Sequence, residues 1–206
     1  MPTPAAFFDS VRLGLLGPTL SQDEVGGCNA ILLAAQDAQW PLAYVAYAIA
    51  TAYHETAGTM QPIKERGGAA YLRRMYDVEG ARPTLARKHG NLTPGDGVKY
   101  AGRGYVQLTW RCNYERADQE LALKGALIRN PDLAMRPDIA AAVMIRGMSE
   151  GWFTGRKLSH YLPKTGPAIR SQFVVSRKII NGLDCADQIA GHAMAFQDAL
   201  QAGGWA

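Results

Sequence analysis

Cysteine is scarce in this chain, and long apolar runs are missing. Its 206 residues include three Cys, at positions 28, 112 and 185. They are odd in number, widely spaced and without a C-x-x-C pair. That excludes a disulfide framework and a structural zinc knuckle as organising features and predicts reduced thiols. No stretch approaches the roughly 18–20 apolar residues of a membrane span. The best candidate, residues 41–53, is interrupted by Thr51 and followed at once by His54 and Glu55. Met1-Pro2-Thr3-Pro4 has no basic segment leading into an apolar stretch, so no secretory signal is expected. With 22 Gly and 11 Pro the chain is neither fibrous nor low-complexity, though it has material for several structured loops. At 48% hydrophobic and 19% charged it has enough apolar surface for a packed core. The length fits a single domain, residues 1–206, with a smaller Gly-rich basic lobe inserted at about 60–110.

The net charge of +4 is unevenly spread. Residues 61–116 hold 11 Lys/Arg against 5 Asp/Glu, and residues 146–178 hold 7 against 1, so the remainder is acidic. Two basic blocks in an acidic chain point to a polyanionic partner, or to solvated faces with no partner; charge alone does not choose.

The apolar pattern is mostly helical. Phe7, Phe8, Val11 and Leu15 recur at helical spacing, and Ser21-Gln22-Asp23-Glu24 has the form of a capping box. Pro41 suits the first turn of a helix whose buried stripe is Leu42, Val45, Ala46, Ile49 and Tyr53, ended by Gly58. Residues 67–104 are punctuated by glycine and proline, with one short amphipathic piece at 71–76. Residues 106–109 read as a short strand or an extended loop. Helical spacing resumes at 113–127, 137–148, 167–180 and 184–200. The alternation of a β protein is absent, and the fold class expected is mainly α with little or no β structure.

Several residues are candidates for chemistry. His54-Glu55 on a helix raises a zinc-protease idea, but the position needing a second His is Gly58, so no metal is expected. Glu55 ends an apolar helix, where the carbonyl dipole and partial burial both favour the protonated carboxyl that a general acid requires. Glu65, ten residues on and flanked by Lys64 and Arg66, is suited to the ionised form that a base needs. Two such carboxyl groups form the pair used in glycoside hydrolysis. Taken singly, each also reads as an ordinary surface residue. Tyr100-Ala101-Gly102-Arg103-Gly104-Tyr105-Val106-Gln107-Leu108-Thr109-Trp110 combines small residues with an amide, a hydroxyl and aromatics, as in a tight turn or a binding floor. It is neither a dinucleotide fingerprint nor a P-loop. Asn181-Gly182 reads first as a helix C-cap.

His54-Glu55-Thr56-Ala57-Gly58, Tyr100-x-Gly102-Arg103-Gly104-x-x-Gln107-Leu108-Thr109, Asn113-Tyr114, Asn130-Pro131-Asp132-Leu133 and Ile179-Ile180-Asn181-Gly182 occur in that order. Together, over roughly residues 40–185, they resemble glycoside hydrolase family 19, the chitinase and endolysin family. Residues 60–65 and Gly151-Trp152-Phe153-Thr154-Gly155 are similar to its bacteriophage and prophage endolysin branch.

The resemblance implies a lysozyme-like helical fold with two lobes around a substrate cleft, and inverting hydrolysis of β-1,4-linked N-acetylated sugars without a cofactor. It implies Glu55 as general acid, Glu65 as general base and Thr109 as a holder of the attacking water. Gln107, Asn113 and Asn181 match substrate-contacting positions, and His54 and Tyr100 are grouped with them. Arg103 is expected to organise the cleft through ion pairing. Tyr105 stands where plant chitinases commonly have Pro, and their disulfides are absent. Both departures favour an endolysin of the muramidase type acting on peptidoglycan, with a chitinase, a lytic transglycosylase and an inactive wall-binding module as alternatives. The expectation is then a monomer that waits in the host bacterial cytoplasm until a separate pore-forming protein releases it. Its basic blocks would meet anionic cell wall or lipopolysaccharide, not nucleic acid.

Overall fold

The computed structural model describes residues 4–205; the leader reading rests in part on Met1–Thr3, which lie outside the described residues. The chain forms two compact units. One takes the residues up to Gln61 and from Met144 onward, and the other is Pro62–Val143.

The first unit opens with α1 (Pro4–Arg12) and α2 (Gln22–Asp37). The expected capping box starts α2: Ser21 Oγ accepts from the Glu24 N–H at 3.1 Å, and Glu24 Oε2 accepts from the Ser21 N–H at 2.8 Å. Next comes α3 (Leu42–Glu55), in which every residue from Leu42 to Ala52 is buried. The sequence predicted one buried stripe. The helix is instead enclosed all round, as a helix apolar on every face must be. Its small residues, Ala43, Ala46, Ala48, Ala50 and Ala52, let neighbouring helices come close. A tight turn follows α3. The Gly58 N–H (φ 85°) donates to the Tyr53 carbonyl at 2.8 Å, and Thr56 Oγ1 both donates to Ala52 O at 2.8 Å and accepts from the Met60 N–H at 3.0 Å. This lays Met60 against α2, where a Cβ on Gly27 would overlap the Met60 carbonyl.

The second unit begins with β1 (Ile63–Lys64), then α4 (Gly68–Tyr76), α5 (Pro83–Lys88) and α6 (Asp96–Lys99), followed by β2 (Arg103–Gly104). β1 and β2 pair antiparallel, Ile63 opposite Gly104 and Lys64 opposite Arg103, and they make the only sheet among the described residues. The stretch expected to be helical at 113–127 is two helices, α7 (Arg111–Glu120) and α8 (Ala126–Arg129). Asp118 is the cause: buried, it accepts from the N–H groups of Gly125 and Leu127, which turns the chain through Ala122, Lys124 and Gly125 at positive φ. A 3-10 turn, Pro131–Met135, leads to α9 (Pro137–Glu150), whose last turns belong to the first unit.

Back in that unit, α10 (Arg170–Ser176) runs into a 3-10 turn, Arg177–Ile179, and α11 (Ala186–Ala202) packs on α1, α3 and α10. Ala190 and Ala193 of α11 are fully buried, matching the small residues of α3. Tyr47 donates its buried hydroxyl to Ser176 O at 2.9 Å, pinning α3 to the end of α10. The chain is mainly α, as expected. Among the described residues no helix is long and apolar enough to cross a membrane.

Candidate active site

In the second unit the β1–β2 pairing decides where Glu65 sits. Its N–H donates to the Gly102 carbonyl at 2.8 Å, and the Gly102 N–H returns a bond to Glu65 Oε2 at 3.1 Å. The other carboxylate oxygen, Oε1, accepts from the Tyr76 hydroxyl at 2.7 Å. Residues 106–109 form neither a full strand nor a free loop. Arg103 and Leu108 exchange backbone bonds, closing a tight bend in which Gln107 takes φ 52°. That bend turns the Gln107 amide inward, where Nε2 donates to Ile63 O and Gly104 O at 3.1 Å each.

Three oxygens therefore converge on one face of Gly102. A Cβ there would meet Gln107 Oε1 at 2.8 Å, Glu65 Oε2 at 3.0 Å and Thr109 Oγ1 at 3.2 Å. Thr109 gives its hydroxyl proton to Gln107 O at 2.7 Å, so it presents an acceptor oxygen to the cluster. A carboxylate, an amide oxygen and a hydroxyl oxygen side by side suit a small donor such as water.

Arg103 is buried and ion-paired within the second unit. Only 3% exposed, it donates to Asp132 Oδ1 at 2.7 Å, to the carbonyls of Lys99 and Ala101 at 3.0 and 2.9 Å, and to Tyr114 Oη at 3.0 Å. The hydrogen bond from Arg103, outweighing partial desolvation and assisted by Lys64, holds the Asp132 carboxyl below its ordinary range. Asn113 is tied to the backbone through Nδ2 to Thr109 O at 2.8 Å. Tyr100 corrects an expectation. At 1% exposure its ring packs on Tyr114 under Lys99 and Arg111, so it buttresses the bend and offers no face to a sugar.

Glu55 belongs to the first unit, at the end of α3. The apolar surroundings expected for it are interrupted by a cation. Arg177 Nη1 lies 2.8 Å from Glu55 Oε1, with the side chains 4% and 18% exposed respectively. Arg177 is fixed in turn by its Nε, which donates to Asp184 O at 3.1 Å. Beside the pair, burial raises the Tyr47 phenol far above its ordinary value, so it remains a donor. His54 is half-buried, and its charge lowers His192, which burial already depresses. Asn181 is exposed. Its N–H donates to Arg177 O at 3.0 Å and its Oδ1 accepts from the Gly182 N–H at 2.9 Å; the cap position of the Arg177–Ile179 turn is Ile180, so the C-cap expected at Asn181 falls one residue earlier. Among the described residues no group of three His, Cys, Asp or Glu is placed to hold a metal ion.

Sequence reasoning missed Tyr76 and Arg177. Tyr76 closes the amphipathic piece at 71–76, which marked the helix without marking its reach to Glu65. Arg177 lay within a basic block that the sequence left open between a polyanionic partner and a solvated face. Its one signal is its place four residues after Phe173, on the buried side of α10.

Against protein-family models, residues 30–156 match the family described as class I chitinase, glycoside hydrolase family 19. The chain belongs to that family. Comparison with the curated proteins gives no match. The family is one of glycoside hydrolases, so this family 19 protein is a chitinase-like glycosidase acting on glycan polymers. The matched stretch contains Glu55, Glu65 and the bend from Tyr100 to Asn113, whereas Arg177 and Asn181 follow it.

Proposed function

We propose that the protein is an endolysin that hydrolyses β-1,4 glycosidic bonds of peptidoglycan with inversion. Glu55 protonates the leaving oxygen. Arg177 engages Oε1, which leaves Oε2 to deliver the proton. Glu65 directs a water at the opposite face of the anomeric carbon, taking its proton on Oε2 while Thr109 and Gln107 accept from the same water. The convergence of Glu65, Gln107 and Thr109 oxygens on Gly102 carries this reading, because a transglycosylase, which forms an anhydro end without water, has no use for it. His54, Asn113 and Asn181 are assigned to the sugar.

Peptidoglycan over chitin is supported by charge. In the block at 146–178, Arg177 is buried and Arg170 pairs with Asp187 at 2.9 Å, but Arg156, Lys157, Lys164 and Lys178 are exposed. An anionic wall attracts such cations, and neutral chitin does not. Release from the host cytoplasm by a separate pore-forming protein completes the proposal.

The test is mass spectrometry of soluble products from purified peptidoglycan, with Glu55→Gln as control. Hydrated reducing-end muropeptides from the wild type alone support the proposal and identify the bond cut. Anhydro products move the assignment to a lytic transglycosylase. Silence on peptidoglycan with turnover of chitin oligomers makes the protein a chitinase.

A further inference from the structure

Tyr76 touches Glu65 and is itself held from several sides. Its ring meets Trp110 edge to face, centroids 5.0 Å apart at 89°. On the far side Trp110 stacks on His89, also at 5.0 Å and 20° from parallel. The guanidinium of Arg82 lies 5.8 Å from the Tyr76 centroid and is fixed by two bonds to Met75 O at 3.2 and 3.1 Å. The Tyr76 backbone carbonyl accepts from Asn91 Nδ2 at 2.9 Å.

Trp110 reaches this position through an unfavourable backbone. It has φ 76° and ψ 139°, a region that bulky L-residues avoid. Three bonds hold it there: its N–H donates to Tyr100 O at 2.9 Å, and its carbonyl accepts from the N–H groups of Asn113 and Tyr114 at 3.0 and 3.2 Å. A residue kept in such a conformation immediately after Thr109, with its indole against the phenol that touches Glu65, joins the two oxygen-bearing groups to one brace.

We propose that Tyr76 is a positioning residue for Glu65: its hydroxyl orients the carboxylate through Oε1 so that Oε2 faces Gln107 and Thr109, and Trp110 holds Tyr76 in that pose. The inference rests on reading Glu65 as the general base. Burial first, and then the Glu65 carboxylate, keep the phenol protonated far above its ordinary range, so Tyr76 donates throughout the working pH. The other ionisable groups around the pair are Tyr71 on α4, Arg82 before α5, Lys88 and His89 at the end of α5, Tyr114 on α7, and Lys64 and Arg66 beside Glu65 in the chain. Burial, and then Lys88, lower His89 toward the acid side, where its titration could overlap that of the carboxylate in a rate profile. A His89→Gln background therefore separates its contribution.

The experiment measures kcat and KM against pH for the wild type, Tyr76→Phe and Trp110→Gly, each also with His89→Gln, on whichever of peptidoglycan or a chitin hexamer the wild type turns over. Tyr76→Phe removes only the hydroxyl, and a glycine at 110 accepts φ 76° while removing the indole. The expected result for Tyr76→Phe is a kcat lowered roughly 10-fold with KM within about twofold. Its acid limb should lie about 0.5–1 pH unit higher, because the ionised carboxylate loses a donor. Trp110→Gly should move both in the same direction by less. A profile unmoved by Tyr76→Phe, while Glu65→Gln abolishes turnover, overturns the inference and leaves Glu65 as the base. Turnover retained in Glu65→Gln overturns the reading of Glu65 and this inference with it. Loss of the near-ultraviolet circular dichroism of Tyr76→Phe also overturns it, since the hydroxyl then supports the fold.

Discussion

Gly102 and Arg177 show how single residues set the chemistry available. A methyl group at 102 would press on the oxygens of Gln107, Glu65 and Thr109 together. Gly102→Ala is therefore expected to cut kcat by on the order of 10-fold or more, while an unfolding midpoint in urea moves little, because the flexible ends of three side chains can yield. Arg177 is different, since it joins a catalytic candidate to the fold. Arg177→Met leaves the Glu55 carboxylate without its cation at 18% exposure and should lower stability by about 1.5–3 kcal/mol, read from urea unfolding at constant slope. The Glu55→Gln variant should stay folded with some loss of stability, since its amide oxygen still accepts from the buried Arg177 without offsetting its charge, and should lose roughly 100- to 10,000-fold in rate, the usual worth of a proton donor. Equal losses of rate and stability in Glu55→Gln would contradict that assignment.

Among the helices, what the sequence foretold and what it hid divide along physical lines. Local chemistry was readable: the Ser21–Glu24 box starts α2 as expected, and Ser21→Ala should cost about 1 kcal/mol by thermal or urea unfolding. The core helices α3, α9 and α11 stand where the apolar spacing put them. The break between α7 and α8 was not readable, because helical spacing persists across it and one buried carboxylate, Asp118, overrides it through bonds to Gly125 and Leu127. The same logic governs the site. Glu55, Glu65, Gln107 and Thr109 were named as candidates by their motifs and by resemblance, and oxygens of the last three converge beside Gly102. Tyr76 and Arg177 were not, because each acts through a tertiary contact, 11 residues from Glu65 and 122 residues from Glu55, that no local pattern encodes. Burial likewise turned Tyr100 from an expected sugar contact into a support for the bend.

For the whole molecule, the shifted histidines and aspartates act in one direction on acidification. His89 and His192 are lowered by burial and by neighbouring cations, so the unfolded chain binds more protons near the ordinary histidine range, and stability falls as pH drops through it. Asp132 and Asp138 are held low chiefly by Arg103 and Arg136. Their contribution is present above the ordinary carboxyl range and is lost as pH falls through their lowered values. Unfolding midpoints in urea should therefore decline in two steps on acidification. His192→Gln and His89→Gln should flatten the first, and Asp132→Asn should reduce the second. Because Asp132 and Asp138 are largely exposed, the second step should shrink further in high salt.

In the proposed mechanism Glu65 directs water at the sugar face opposite the proton that Glu55 supplies. Proton nuclear magnetic resonance of the first minutes of hydrolysis reads this directly, through the configuration of each new reducing end before it equilibrates. Inversion of a β-linkage predicts the α anomer in the wild type and no product from Glu65→Gln. A β anomer appearing first would contradict the account, since it requires a covalent or substrate-assisted route in which water arrives from the other face.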